Sequence, residues 1–209
     1  MKILFIYTNI NGYHDDCYSI GLASIVSVAK RGGHDVKVII VRKEEQYADV
    51  LNVVKHFGPS VVGFTSVSSQ FDFVKRLSSM IKQADPSITS VCGGVHPTII
   101  PECIMEADSL DAVFVGESEA SFMEFLTTAG AGKSYRDIDN IAYRSGDKCI
   151  VNRLKPLLSN LDGLPYPDKG SYPYHETLTA SGYAPFFFSR GCPYMCSYCS
   201  NHAIRKKLE

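Results

Sequence analysis

No apolar run in this sequence approaches the roughly 20 residues that a membrane-spanning helix needs. No charge of one sign is in excess. The 21 Lys and Arg stand against 22 Asp and Glu, a formal net charge of −1, which gives no electrostatic case for nucleic acid or an anionic membrane as partner. No small-residue cleavage site follows the apolar start Met1-Lys2-Ile3-Leu4-Phe5-Ile6-Tyr7, so this start reads as a buried first strand rather than a signal sequence, and a cytoplasmic protein is expected. Internal repeats and low-complexity segments are also missing. What remains is an ordinary globular composition over 209 residues, 45% hydrophobic and 21% charged. That is enough for one sizeable core, since a domain of about 150 residues buries roughly 70% of its unfolded surface.

The seven cysteines are unevenly placed. Cys17, Cys92, Cys103 and Cys149 are scattered in or beside apolar segments, where a thiol acts as a small buried hydrophobe. Cys192, Cys196 and Cys199 are clustered, and without a secretory signal clustering argues for metal over disulfides. The final Leu208-Glu209 resembles a vector-derived addition, which would make the chain a truncation.

Up to about residue 130, β-branched runs at 2–8, 35–41, 60–65, 88–92 and 111–115 alternate with helical patterns at 19–31, 47–57, 71–83, 99–106 and 118–127. The runs are nearly continuous in apolar residues, as strands covered on both faces should be. Such alternation predicts an α/β fold with a doubly wound, five-stranded parallel sheet, flavodoxin-like in the order 2-1-3-4-5. Residues 140–144 and 149–153 flank Ser145-Gly146-Asp147-Lys148 and predict a β-hairpin. From 154 to 185 the chain is rich in Pro, Gly, Tyr and Asp, a linker expected to pack over a surface. Phe186-Phe187-Phe188-Ser189 is expected to be a new buried strand. The division is thus 1–130, a doubly wound domain; 131–185, hairpin and linker; 186–209, the start of another domain.

Chemistry concentrates in Ser189-Arg190-Gly191-Cys192-Pro193-Tyr194-Met195-Cys196-Ser197-Tyr198-Cys199. The spacing is Cys-x3-Cys-x2-Cys, with an aromatic just before the third cysteine. Three thiolates on one tight loop suit a [4Fe–4S] cubane, which leaves one iron without a protein ligand. A structural zinc site would want four ligands, and His202 could supply the fourth. The motif resembles the cluster loop of the radical S-adenosylmethionine superfamily. The resemblance implies Cys192, Cys196 and Cys199 as cluster ligands and Tyr198 beside the adenine of S-adenosylmethionine. In that family the open iron holds S-adenosylmethionine, and electron transfer cleaves it to methionine and a 5′-deoxyadenosyl radical. It further implies an electron donor such as flavodoxin or ferredoxin and a (β/α) barrel of which only the first strand and loop are present, so that this chain alone should not turn over.

In a doubly wound sheet, ligands sit outside the carboxyl ends of the strands. Those ends carry Thr8 and Asn9, then Ser66 and Ser68, then Gly93, Gly94 and His96, then Gly116 and Glu117, all small, polar or glycine-rich. Read alone, Gly93-Gly94 is as well explained by a chain turn, and His96 by a solvated loop. The order of parts is more specific: doubly wound domain, Gly-Gly-x-His-Pro-Thr loop, Gly-Glu-x-Glu, hairpin, Leu-Pro-x-Pro linker, cluster. That order is similar to the cobalamin-binding radical enzymes, which include methyltransferases and anaerobic magnesium-protoporphyrin ester cyclases. The resemblance implies cobalamin lying over these nine residues, a small-molecule substrate, and methyl transfer to an unactivated centre; the alternatives are non-methylating, cyclase-like radical chemistry and a binding or regulatory module with a structural or redox three-cysteine metal site. Cobalt-ligating histidines lie in Asp-x-His-x-x-Gly, but here Gly12-Tyr13-His14-Asp15-Asp16-Cys17 keeps His14 without the Asp or the Gly. The expectation is therefore that no protein histidine ligates cobalt.

Overall fold

The computed structural model describes residues 1–12, 18–172, 174, 182 and 184–208. Seven strands form one sheet in the order β2-β1-β3-β4-β5-β6-β7. They are β1 (Lys2–Thr8), β2 (Asp35–Val41), β3 (Val61–Thr65), β4 (Thr89–Gly93), β5 (Ala112–Phe114), β6 (Ile141–Ser145) and β7 (Lys148–Val151). The first five pair in parallel in the expected 2-1-3-4-5 order. The hairpin then continues the sheet, β6 pairing antiparallel with β5 and with β7, across Gly146 at φ 58°.

Helices α1 (Ile20–Arg31), α2 (Tyr47–Phe57), α3 (Phe71–Ala84), α4 (Val95–Ile99), α5 (Glu119–Gly130) and α6 (Asn201–Leu208) complete the fold. Ser19 caps α1 by accepting from the Leu22 amide, and Gly58 closes α2 in the left-handed conformation. Among the described residues no helix is long and apolar enough to cross a membrane.

Because strand side chains alternate, β1 feeds two cores. Leu4 and Ile6 join the layer of α2 and α3, with Val50, Val54, Val74 and Leu77. Ile3 and Phe5 join the layer of α1 and α5, with Leu22, Val26, Phe122 and Phe125. Right-handed crossovers reverse between β1 and β3, which opens a crevice at the carboxyl ends of those strands.

The linker packs against α1 as expected. Asp168 donates its amide to the Ala23 carbonyl, its carboxylate pairs with Lys30, and Tyr172 and Tyr174 enter the α1–α5 core. Two expectations are corrected. The single helix at 99–106 is a short α4 followed by a 3-10 turn, Pro101–Glu106, because Pro101 has no amide to continue the ladder. Phe186, Phe187, Phe188 and Ser189 form no strand, and the three rings are 67%, 68% and 92% exposed. A strand needs a neighbour to bond with, and no described strand lies beside this one.

Candidate functional site

The strand ends gather most of the expected residues on one face. Thr8 ends β1 with a hydroxyl that is buried and has no hydrogen-bond partner among the described residues. A buried polar group without a partner is costly, so this oxygen is suited to a ligand at the crevice. The Asn9 amide donates to the Val41 carbonyl at 2.8 Å, keeping the chain in strand-like register past β1. Ile10 is then held by the buried side chain of Gln70, which accepts from its amide at 3.0 Å and donates to its carbonyl at 2.9 Å. Gln70 acts as a stand-in strand for this loop. The His14 expectation falls outside the described residues.

The loops after β3 and β4 interlock. The Ser66 amide donates to the Gly93 carbonyl at 2.9 Å, and the His96 amide donates to the Ser66 carbonyl at 3.0 Å. Gly94 has φ 101°, and a Cβ there would lie 2.7 and 2.8 Å from Ser66 backbone atoms. Its glycine is therefore required by the chain's own packing. A Cβ on Gly93 would meet nothing closer than 3.8 Å, so that position leaves room above the strand end. His96 Nδ1 is 3.0 Å from the Ser68 hydroxyl, and its ring packs on Phe71 with centroids 4.4 Å apart. Burial holds the His96 pKa below its ordinary value, Glu106 opposing, which favours neutral imidazole.

A relay ties the last two strand ends together. The Gly116 amide donates to the Thr98 hydroxyl at 3.0 Å, which donates to the Gly94 carbonyl at 2.7 Å. Glu117 accepts from Arg190 at 3.2 Å and from the Leu158 amide at 2.7 Å, so both of its oxygens are engaged by protein. The neighbouring Glu119 is buried and accepts from Arg190 and from Ser24. Burial pushes its carboxyl up, but the Arg190 guanidinium and the Ser24 hydroxyl outweigh this and hold it below the usual range. Gln70, Thr98, Glu119 and Arg190 are not among the expected site residues, although Thr98, Glu119 and Arg190 stand inside the motifs quoted for it.

The cysteine loop lies beside this face through Arg190. Cys192 and Cys199 are half-buried and Cys196 is exposed, all as free thiols, with the Cys199 amide donating to the Cys196 carbonyl at 3.0 Å. Tyr198 is 91% exposed. Among the described residues no three His, Cys, Asp or Glu side chains converge as they would on one ion. The donor set itself, three soft thiolates on one loop, fits an iron–sulfur cubane, which takes one thiolate at each of three separate irons. Of the scattered cysteines, Cys17 lies outside the described residues, and Cys92 and Cys103 are unlike the trio. Burial pushes the Cys92 thiol well up and the Cys103 thiol to about 12, with Glu106 adding to the latter, so both stay protonated.

Comparison with known proteins accords with this geometry. A curated relative, an uncharacterized methyltransferase of Pyrococcus horikoshii, is 32% identical over 187 residues, covering 87% of this chain and 40% of its own length. The anaerobic magnesium-protoporphyrin IX monomethyl ester cyclase of Rubrivivax gelatinosus is 27% identical, covering 96% of this chain and 38% of its own. The chain thus spans less than half the length of these relatives. Among solved structures, the radical S-adenosylmethionine methyltransferase TsrM of Kitasatospora setae, with tryptophan and a S-adenosylmethionine analogue bound, shares the fold. Its TM-score is 0.75 at 15% identity, over 95% of this chain and 41% of that one. Residues 8–126, from the end of β1 into α5, match the B12 binding domain, and the chain belongs to that family.

Proposed function

We propose that this chain is the N-terminal part of a cobalamin-dependent radical S-adenosylmethionine enzyme that transfers a methyl group to an unactivated centre of a small molecule. The observation that carries the reading is the tethering of a free three-thiol loop, Cys192 to Cys199, beside the strand-end face of a B12 binding domain. Thr8, Asn9, Ser66, Ser68, Gly93, Gly94, His96, Gly116 and Glu117 border the cobalamin, which supplies a methyl carrier. Cys192, Cys196 and Cys199 hold three irons of a [4Fe–4S] cluster, and Tyr198 stands ready for the adenine of S-adenosylmethionine. A low-potential electron donor of the flavodoxin or ferredoxin class serves the cluster.

Two measurements test this. Hydroxocobalamin titrated into the chain should shift the corrin spectrum, and absence of binding at about 100 μM, equivalent to only about −5.5 kcal/mol, would refute the cobalamin assignment. On anaerobic reconstitution, changing any one of Cys192, Cys196 or Cys199 to Ala should abolish stoichiometric iron uptake. Cys92→Ala or Cys103→Ala should leave iron uptake intact and cost packing alone, up to about 3 kcal/mol. Full iron content in a single-cysteine variant of the trio would remove the cluster, and the radical chemistry with it.

A further inference from the structure

Arg190 stands two residues before Cys192 and joins the cysteine loop to the sheet. Its Nη1 donates to Glu117 at 3.2 Å, and its Nη2 donates to Glu119 and, at 3.1 Å, to the Ser24 hydroxyl. Ser24 in turn donates to the same Glu119 oxygen at 2.8 Å. The other oxygen of Glu117 takes the Leu158 amide at 2.7 Å. One node thus gathers α1, the loop after β5, the linker and the cysteine loop.

This is unlike an ordinary surface pair. The Glu119 side chain is 5% exposed, and a carboxylate so placed is tolerated only with a charged, hydrogen-bonded partner. The partner comes from the far end of the chain, 71 residues away. A guanidinium can grip two carboxylates at once with its planar fork, which a lysine ammonium cannot reproduce. The loop is held at its far end by α6, whose Lys207 donates to the Ile99 carbonyl at 2.9 Å, and between that helix and Arg190 its side chains stand in solvent: Tyr194, Met195 and Tyr198 are each at least 73% exposed. The carboxylates, by contrast, sit directly after Gly116, whose amide is fixed to the fourth-strand loop through Thr98.

We propose that Arg190, gripped by Glu117 and Glu119, is a positioning residue that sets the place of the Cys192–Cys199 loop over the cobalamin face, and so the separation of the two cofactors. The proposal rests on the functional reading above. Arg190 has its guanidinium engaged by Glu117, Glu119 and Ser24, and it acts through the loop it anchors.

The test uses the chain loaded anaerobically with iron, sulfide and cobalamin, then reduced so that cluster and cobalt are both paramagnetic. The readout is the enhancement of cob(II)alamin spin relaxation by the reduced cluster, which falls steeply with separation and does not depend on turnover. Wild type should show the enhancement. Arg190→Ala should lose most of it at unchanged iron and cobalamin content, and Arg190→Lys, which can reach one carboxylate, should recover part. Glu119→Gln, which keeps a bonding group for Ser24, should lower it in the same direction. Failure of Arg190→Ala to retain iron while it still takes up cobalamin, with Arg190→Lys restoring iron, also supports the anchor. Enhancement equal to wild type in both Arg190→Ala and Glu119→Gln, at equal loading, overturns it. Wild type that takes up no iron or no cobalamin marks failure of the functional reading instead, and the anchor falls with it.

Discussion

Gly94 and Asn140 both hold backbone in the left-handed region, for different reasons. At Gly94, φ is 101° and a side chain would strike the Ser66 backbone at 2.7 Å. Gly94→Ala should therefore cost at least about 2 kcal/mol through strain, and more from the collision, read as a lower urea midpoint. It should also weaken hydroxocobalamin binding, because the loops after β3 and β4 can no longer interlock. At Asn140, φ is 62°, and the side chain fills a role that glycine cannot. Its amide donates to the Val115 carbonyl at 2.7 Å, and its oxygen takes the Lys155 amide at 3.1 Å. Asn140→Ala loses those bonds and adds strain, about 3 kcal/mol together. Asn140→Gly loses the bonds but relieves φ, so denaturation should rank wild type above Gly above Ala. Equal loss in Gly and Ala would show that the strain contributes nothing.

Strands β1 and β2 occur at the residues expected from the sequence, 2–8 and 35–41. The β1 run is apolar on both sides and is buried on both faces, as a central parallel strand should be, whereas β2 stands at the sheet edge with Asp35 and Lys37 exposed and is legible from its β-branched run alone. The region after β4 was misread for a local reason: Pro97 and Pro101 both fall within one apolar stretch, and the second stops the helix that the periodicity suggests. Phe186 to Phe188 were misread for a non-local one. Three phenylalanines signal burial, but burial needs a partner surface that the described chain does not provide. The bonds that shape the site were the least legible. Gln70 reaches Ile10 across 60 residues, and Arg190 reaches Glu119 across 71. No periodicity or composition encodes such pairs, whereas strand ends and cysteine spacing are local patterns. At this scale Gln70 offers a sharp test, since its two bonds take both the amide and the carbonyl of Ile10, whose side chain is buried in the α2–α3 core. Gln70→Ala should cost about 2 kcal/mol for two buried bonds. It should also speed amide exchange at Ile10, which wild type should protect.

Two ion pairs with buried carboxylates hold the later part of the chain to the helices of the sheet, and both set a pH limit for the whole molecule. Asp168, on the linker, pairs with Lys30 of α1, and Glu119, in α5, pairs with Arg190 of the cysteine segment. Burial pushes the Asp168 carboxyl up, but Lys30 and the Ser171 bonds outweigh it and leave it below the usual range, as Arg190 does for Glu119. In each case the folded pKa is depressed relative to the unfolded one, near 3.9 for Asp and 4.3 for Glu. The unfolded chain thus binds protons first as pH falls. The stabilisation is fully present above about pH 5 and is lost as pH falls toward the lowered folded values. Urea midpoints of wild type should accordingly be flat from pH 7 to about 5 and then fall. A variant carrying Asp168→Asn and Glu119→Gln together should start lower at pH 7 and fall less steeply, the two curves converging in acid. Parallel curves would assign the acid sensitivity to other carboxylates. Proteolysis should report the same order in space, with cuts between residues 158 and 199 gained in acid before the sheet yields, because the core cluster of Leu4, Ile6, Val74 and Leu77 contains no carboxylate or histidine to titrate in acid.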